Sequence, residues 1–197
     1  MPKKRGPLTV HGEQPVFGNP WIIAVNYHVS APSGREFTYT LVHFRNWATG
    51  IVPLHEDGTV TLVGQHRFAL DRYSWEIPEG GASEEEGPLA GAQRELAEEA
   101  GLAAADWREI LQLHLSNSVT DEHAFVYLAT GLSPAVATPD DTEDITVKRL
   151  PFAEALAMVN SGEITDSITV AALLKVSHMA RAGELPGGLN DLLAGTG

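Results

Sequence analysis

The stretch Gly80–Leu102, GGASEEEGPLAGAQRELAEEAGL, constrains this chain most, because it asks a helix to end on carboxylates. Pro88 suits the first turn of a helix, where its missing N–H is not needed, and Gly101 suits a left-handed cap at the end. Between them, Glu95, Glu98 and Glu99 crowd the C-terminal half. That end of a helix carries partial negative charge, so each acidic side chain there is unfavourable by roughly 0.3–1 kcal/mol. A residue advances about 100°, so relative to Glu95 the Glu98 side chain lies about 60° to one side and Glu99 about 40° to the other. The three carboxylates share one edge. Leu89, Ala92, Leu96 and Ala100 form an apolar stripe beside it, expected to pack against a sheet. The acidic edge therefore belongs at a core boundary.

Carboxylates crowded at a partly desolvated helix end raise one another's pKa unless a cation neutralises them. Arg94, four residues before Glu98, is placed to pair with it and orient it. All-oxygen donors select a hard ion, Mg²⁺ or Mn²⁺, which typically bridges carboxylates to substrate phosphates. The chain has no Cys, which removes disulfides, thiolate zinc sites and any cysteine nucleophile. A formal charge of -13 repels polyanions and argues against a nucleic-acid partner, while a small anionic ligand can still be held through cations. The eight His residues show no paired-ligand spacing and are assigned no metal. The basic start Lys3-Lys4-Arg5 is followed by Pro and polar residues rather than an apolar run, so the chain is expected to be cytoplasmic, with no membrane partner.

The 197 residues suit one sizeable domain over 21–181, with 1–20 expected as an irregular lead-in and the glycine-rich 182–197 as a flexible tail. Trp21 to Val29 and Phe37 to Phe44 read as a hairpin, and Ile51 to Leu54 with Val60 to Val63 as a second. Trp107 to Leu115 and His123 to Leu128 read as strands bracketing the polar loop Ser116 to Glu122, and Ile145 to Leu150 as a further strand. Pro151 to Val159 and Asp166 to Met179 read as amphipathic helices, with Gly162 closing the first and Asp166 capping the second. The sum is an α+β domain.

One spacing decides between a solvated acidic face and a site. It runs Gly80, five residues, Glu86, seven residues, Arg94-Glu95-Leu96, one residue, Glu98-Glu99, one residue, Gly101-Leu102. Such a match arises by chance at roughly one starting point in 10⁹ at average residue usage. With it, the chain resembles a Nudix hydrolase. The resemblance implies a Nudix fold, an α/β/α sandwich with a mixed sheet and antiparallel strands ahead of it over about 21–48. It also implies attack of water on a diphosphate that joins a nucleoside to a further group, with Mg²⁺ or Mn²⁺ bound. By match to the motif, Glu95 and Glu99 would be the main metal ligands. Glu98 would be a ligand or would orient water, Arg94 would orient Glu98, and Glu79 would offer its backbone carbonyl to a metal.

Outside the box, Gln65-His66-Arg67, Trp75-Glu76-Ile77-Pro78 and Ser116 to Glu122 resemble the ADP-ribose pyrophosphatase and nucleoside-diphosphate-sugar branch. That implies a nucleotide sugar as substrate, with Arg67, Trp75 and Glu76 on the substrate side. Trp75 would stack on a base or pack the core. Glu122, on a mobile loop, would be the general base, with Glu98 the competing choice. The branch commonly has Pro where this chain has Asn117, which brings GDP-mannose-like sugars in beside ADP-ribose. In that branch the N-terminal strands commonly complete the site across a homodimer, so a homodimer is implied. The rival functions are a non-catalytic sugar-nucleotide sensor on the same fold and a nucleoside-triphosphate pyrophosphohydrolase.

Overall fold

The computed structural model describes residues 3–136 and 144–194. Its contacts divide the chain into two units: residues through Trp47 with His114–His123, and Ala48–Leu113 with the residues from Ala124 onward.

In the first unit, the segment expected to be irregular is strand. β1 (Lys3–Arg5) and β2 (Leu8–Gly18) pair antiparallel, and β2 pairs in turn with β3 (Ile22–Ser30). The Pro and Gly residues that signalled a loop are absorbed by register shifts between Val10 and Gly12 and between Pro15 and Phe17. Such bulges are how a ladder tolerates a residue without an N–H. β3 and β4 (Glu36–Phe44) form the hairpin their alternation predicts, closing a sheet in the order β1-β2-β3-β4.

Apart from the boundary residues Trp47, His114 and His123, the second unit holds β5 (Trp47–Pro53), β6 (Thr59–Arg67), β7 (Arg72–Glu76), β8 (Glu79–Ala82), β9 (Leu102–His114), β10 (His123–Pro134) and β11 (Thr146–Pro151). Its helices are α1 (Pro88–Ala100), α2 (Phe152–Ser161), α3 (Ser167–Arg181) and α4 (Leu189–Ala194). The second expected hairpin is only begun. β5 and β6 meet at a single bridge, Leu54 to Val60, and then diverge into sheets ordered β8-β5-β10-β9 and β11-β6-β7. The physical reason is burial on both faces. Ile51, Val52, Leu54, Val60, Leu62 and Val63 are all buried, which suits central strands of two sheets better than a one-faced hairpin. β5 runs parallel to β10 while β6 runs antiparallel to both its neighbours.

Side chains alternate along β5, and that alternation places helices on opposite faces. Ile51 packs in a core with Ala92 and Leu96 of α1 and with Tyr127 and Ala129 of β10. At Gly50, on the other face, a Cβ would stand 2.7 Å from Ile168 of α3. This is the layered α+β arrangement of a Nudix fold. Pro88 and Gly101 bound α1, Gly101 with φ 62, but Leu89, expected in the apolar stripe, is 41% exposed. The tail expected to be flexible docks as far as α4. Leu185, Leu189 and Leu193 are buried, and the Asn190 side chain brackets Leu185 by bonds to its N–H and its carbonyl. Glycine content masked a leucine spacing that a helix can use. Among the described residues, no helix is long and apolar enough to cross a membrane.

Candidate active site

α1 delivers Arg94, Glu95, Glu98 and Glu99, and β8 with the turn after it delivers the facing backbone. Glu99 is buried and accepts the Glu79 N–H at 2.9 Å. The same short segment is fixed at further points: Ile77 N–H to Thr169 Oγ1 (3.0 Å), Ile51 N–H to the Pro78 carbonyl (2.9 Å), and Thr49 Oγ1 to the Gly80 carbonyl (3.2 Å). Gly80 has no alternative, because a Cβ there would overlap the Glu95 carboxylate. The first glycine of the motif thus makes room for the Glu95 carboxylate.

Arg94 serves four acceptors. It donates to Glu86 (2.9 Å), Glu95 (2.8 Å), Glu98 (2.8 Å) and the Gly81 carbonyl (2.7 Å). Its hydrogen bond to Glu86 is the leading reason its own pKa is raised, and the same bond lowers that of Glu86. The expected Arg94–Glu98 pair is therefore part of a wider fork that ties the Gly81–Glu86 turn to the acidic edge.

A second cluster sits on the strand side. Arg67 binds Glu76 through Nε at 3.0 Å and through Nη2 at 2.5 Å, and Nη2 also reaches Glu79 Oε1 at 3.0 Å. Burial works against the Arg67 charge, but its hydrogen bonds to Glu76 and the negative charges of Glu76, Glu79 and Glu99 outweigh it and the net shift is upward. Glu76, Glu79 and Asp166 bring carboxylate oxygens within 4.8 Å of one another. Burial foremost, then the charges of Asp166 and Glu76, push the Glu79 carboxyl well above the usual range. Glu79 Oε2 is buried and has no hydrogen-bond partner.

All-oxygen donors suit a hard divalent cation, and one buried oxygen of Glu79, in the group it forms with Glu76 and Asp166, lacks a donor. The motif would hold an ion on Glu95, Glu98 and Glu99 with the Glu79 backbone carbonyl; the carboxylate oxygens that converge within 4.8 Å are instead those of Glu76, Glu79 and Asp166.

The remaining sequence-derived residues fall as follows. Glu76 is buried and holds Arg67 rather than facing open solvent. Trp75 is half-buried and packs: its ring crosses Gly64, where a Cβ would lie 2.7 Å away, meets Tyr73 edge-on at 5.4 Å, and carries Lys148 Nζ 5.6 Å from its centroid. Glu122 belongs to the other unit, where burial raises its pKa. Asp166 caps α3 as expected by accepting the Thr169 N–H at 2.7 Å, but its approach to Glu76 and Glu79 has no local signal. Thr49 and Thr169 are likewise invisible in sequence, since each acts across a long separation.

A sheet-backed helix that ends in carboxylates, two of them bonded to one arginine beside a close-fitting glycine, is the arrangement the motif implies for a hydrolase. Residues 44–168 match the model of the NUDIX domain. The chain belongs to this family and is a Nudix hydrolase. It is 38% identical over 160 residues to an ADP-ribose pyrophosphatase of Mycobacterium tuberculosis, covering 79% of this chain and 75% of that protein. It is 32% identical over 145 residues to a GDP-mannose pyrophosphatase of Escherichia coli, covering 68% and 75%. The crystal structure of an ADP compounds hydrolase shares the fold, with a TM-score of 0.82 at 20% identity over 93% of this chain and 100% of that one.

Proposed function

We propose that this Nudix hydrolase cleaves the diphosphate of a nucleoside diphosphate sugar, ADP-ribose first and GDP-mannose-like sugars beside it, to a nucleoside monophosphate and a sugar phosphate. The observation that carries the reading is the carboxylate end of α1: Glu95 and Glu98 held by Arg94, Glu95 against Gly80, and Glu99 on the Glu79 N–H. Support for the substrate comes from the names of the relatives above. When bound, Mg²⁺ or Mn²⁺ neutralises the diphosphate and acidifies the attacking water. A bond forms between the water oxygen and one phosphorus as the bridging P–O bond breaks, and the other phosphate leaves with its electron pair.

Glu122 takes the proton of that water. Two observations favour it over Glu98: burial keeps the Glu122 carboxylate more basic than an ordinary glutamate, and Glu98 already accepts from Arg94 at 2.8 Å. A base works deprotonated, so activity is lost as pH falls through its pKa, and a raised pKa moves that loss upward. The acidic limb of kcat/KM is expected above the ordinary glutamate value of 4.5, and the Glu122→Gln variant should lose it. A limb at or below that value would count against Glu122.

Arg67 contacts a substrate phosphate once Glu76 and Glu79 share it with the ligand. We also place the protein in the cytoplasm as a homodimer, a reading supported by its lack of Cys and by the exposed Phe17, Trp21 and Phe44 of its first unit. Comparing kcat/KM for ADP-ribose, GDP-mannose and ATP with Mg²⁺ tests the function. Sugar nucleotides should lead; faster pyrophosphate release from ATP would favour the triphosphate reading, and binding without product would favour a sensor.

A further inference from the structure

The loop Ser116–Glu122, expected to be mobile, is stitched to β4 along its length. Val42 accepts at its carbonyl from Asp121 N–H (3.3 Å) and donates from its own N–H to the Val119 carbonyl (2.9 Å). Tyr39 Oη donates to the Ser118 carbonyl at 2.5 Å. Within the loop, Val119 and Thr120 N–H groups both reach the Ser116 carbonyl (2.9 and 3.0 Å), and Thr120 Oγ1 donates to that of Leu115 (2.8 Å).

The densest point is Asp121. Its Oδ1 accepts the Phe44 N–H at 3.0 Å and its Oδ2 lies 2.5 Å from His43 Nδ1. The far ring nitrogen of His43, Nε2, lies 2.8 Å from Tyr27 Oη. Burial alone would raise the Asp121 carboxyl, but the bonds from His43 and Phe44 outweigh it and hold it below its usual range. An ionised carboxylate only accepts, so Nδ1 donates to Asp121, and Nε2 shares the other hydrogen bond with Tyr27 Oη. The next residue is Glu122, whose own carbonyl accepts the Leu115 N–H at 3.1 Å. Backbone on both sides of the Glu122 Cα is thereby fixed.

We infer that His43 and Asp121 are positioning residues for the Glu122 carboxylate, with Tyr27 backing the imidazole, so that the N-terminal sheet sets the general base within its own chain. The inference rests on Glu122 being that base. It gives β3 and β4 a part in the reaction separate from any role in association, because every group in the relay belongs to one unit of one chain. A tethered backbone restricts where the Glu122 carboxylate can stand on its own unit, and a displacement of about 1 Å can lower a rate by roughly a hundredfold.

The test combines His43→Ala, His43→Asn, Asp121→Asn and Glu122→Gln in the full-length protein. His43→Ala and Asp121→Asn should each lower kcat by about tenfold to a hundredfold with KM within about twofold. Amide hydrogen exchange over 116–122 should accelerate in both. His43→Asn, which keeps a donor near the Nδ1 position, should recover most of kcat. Adding His43→Ala to Glu122→Gln should lower the rate no further, because the relay acts only through that carboxylate. Losses that multiply, or wild-type kcat in both His43→Ala and Asp121→Asn while Glu122→Gln is impaired, would overturn the inference and leave the hydrolase reading intact. Wild-type turnover by Glu122→Gln would instead overturn the base assignment and the inference with it.

Discussion

Glu99→Gln is expected to lower kcat by roughly a thousandfold while leaving the fold in place, because one charge in the cation site is removed and little else changes. Glu99 is 6% exposed and accepts the Glu79 N–H at 2.9 Å, a bond that a glutamine oxygen can also accept. The metal-free variant should be at least as stable as the wild type, since it no longer confines a carboxylate at the core boundary. Mn²⁺ binding, followed by titration calorimetry or electron paramagnetic resonance, should weaken in parallel with turnover. A fall in kcat of less than about tenfold would mean that Glu99 is not a ligand.

Arg94→Ala should lower stability measurably. Its loss strips Glu86, Glu95 and Glu98 of their shared donor and frees the Gly81 carbonyl. Arg94 is 38% exposed, so solvent screens much of the electrostatic gain, and the expected destabilisation is about 2 kcal/mol rather than the larger figure for a buried pair. Divalent cation can supply the missing positive charge. Thermal unfolding in EDTA should show the full deficit, and Mg²⁺ should narrow it. Arg94→Lys keeps the charge without the planar fork and should fall between the two. Equal unfolding temperatures for Arg94→Ala and the wild type in EDTA would remove Arg94 from its ordering role.

What was legible in the sequence was local. Pro88, Gly101, the shared edge of Glu95, Glu98 and Glu99, and the Arg94–Glu98 pair all follow from helix geometry within a span of a few turns. The family resemblance carried the fold further than periodicity could. Elements misread from local signals were those where tertiary pairing decides. β2 tolerates Pro15 because a register shift lies beside it, and β5 leaves β6 because both need burial on two faces. The Leu185, Leu189 and Leu193 side chains tie down a tail that glycines made look frayed.

The unreadable part of the site lies in contacts that join distant residues. Thr169 meets Ile77 across 92 positions and His43 meets Asp121 across 78. Neither residue type announces such a partner. Arg67 illustrates the intermediate case: its place at the end of β6 was readable, while its capture by Glu76 and Glu79 depended on β7 and β8 folding back beside it.

With a divalent cation bound, this carboxylate edge should hydrolyse a sugar nucleotide. Phosphorus NMR of ADP-ribose mixed with the protein, first in EDTA and then with excess Mg²⁺, follows that reaction. The diphosphate signal should stay unchanged in EDTA and give way to equal amounts of AMP and ribose 5-phosphate once Mg²⁺ is added. Cleavage that proceeds equally in EDTA, or a diphosphate of ADP-ribose and of GDP-mannose that both persist with Mg²⁺, would contradict this expectation.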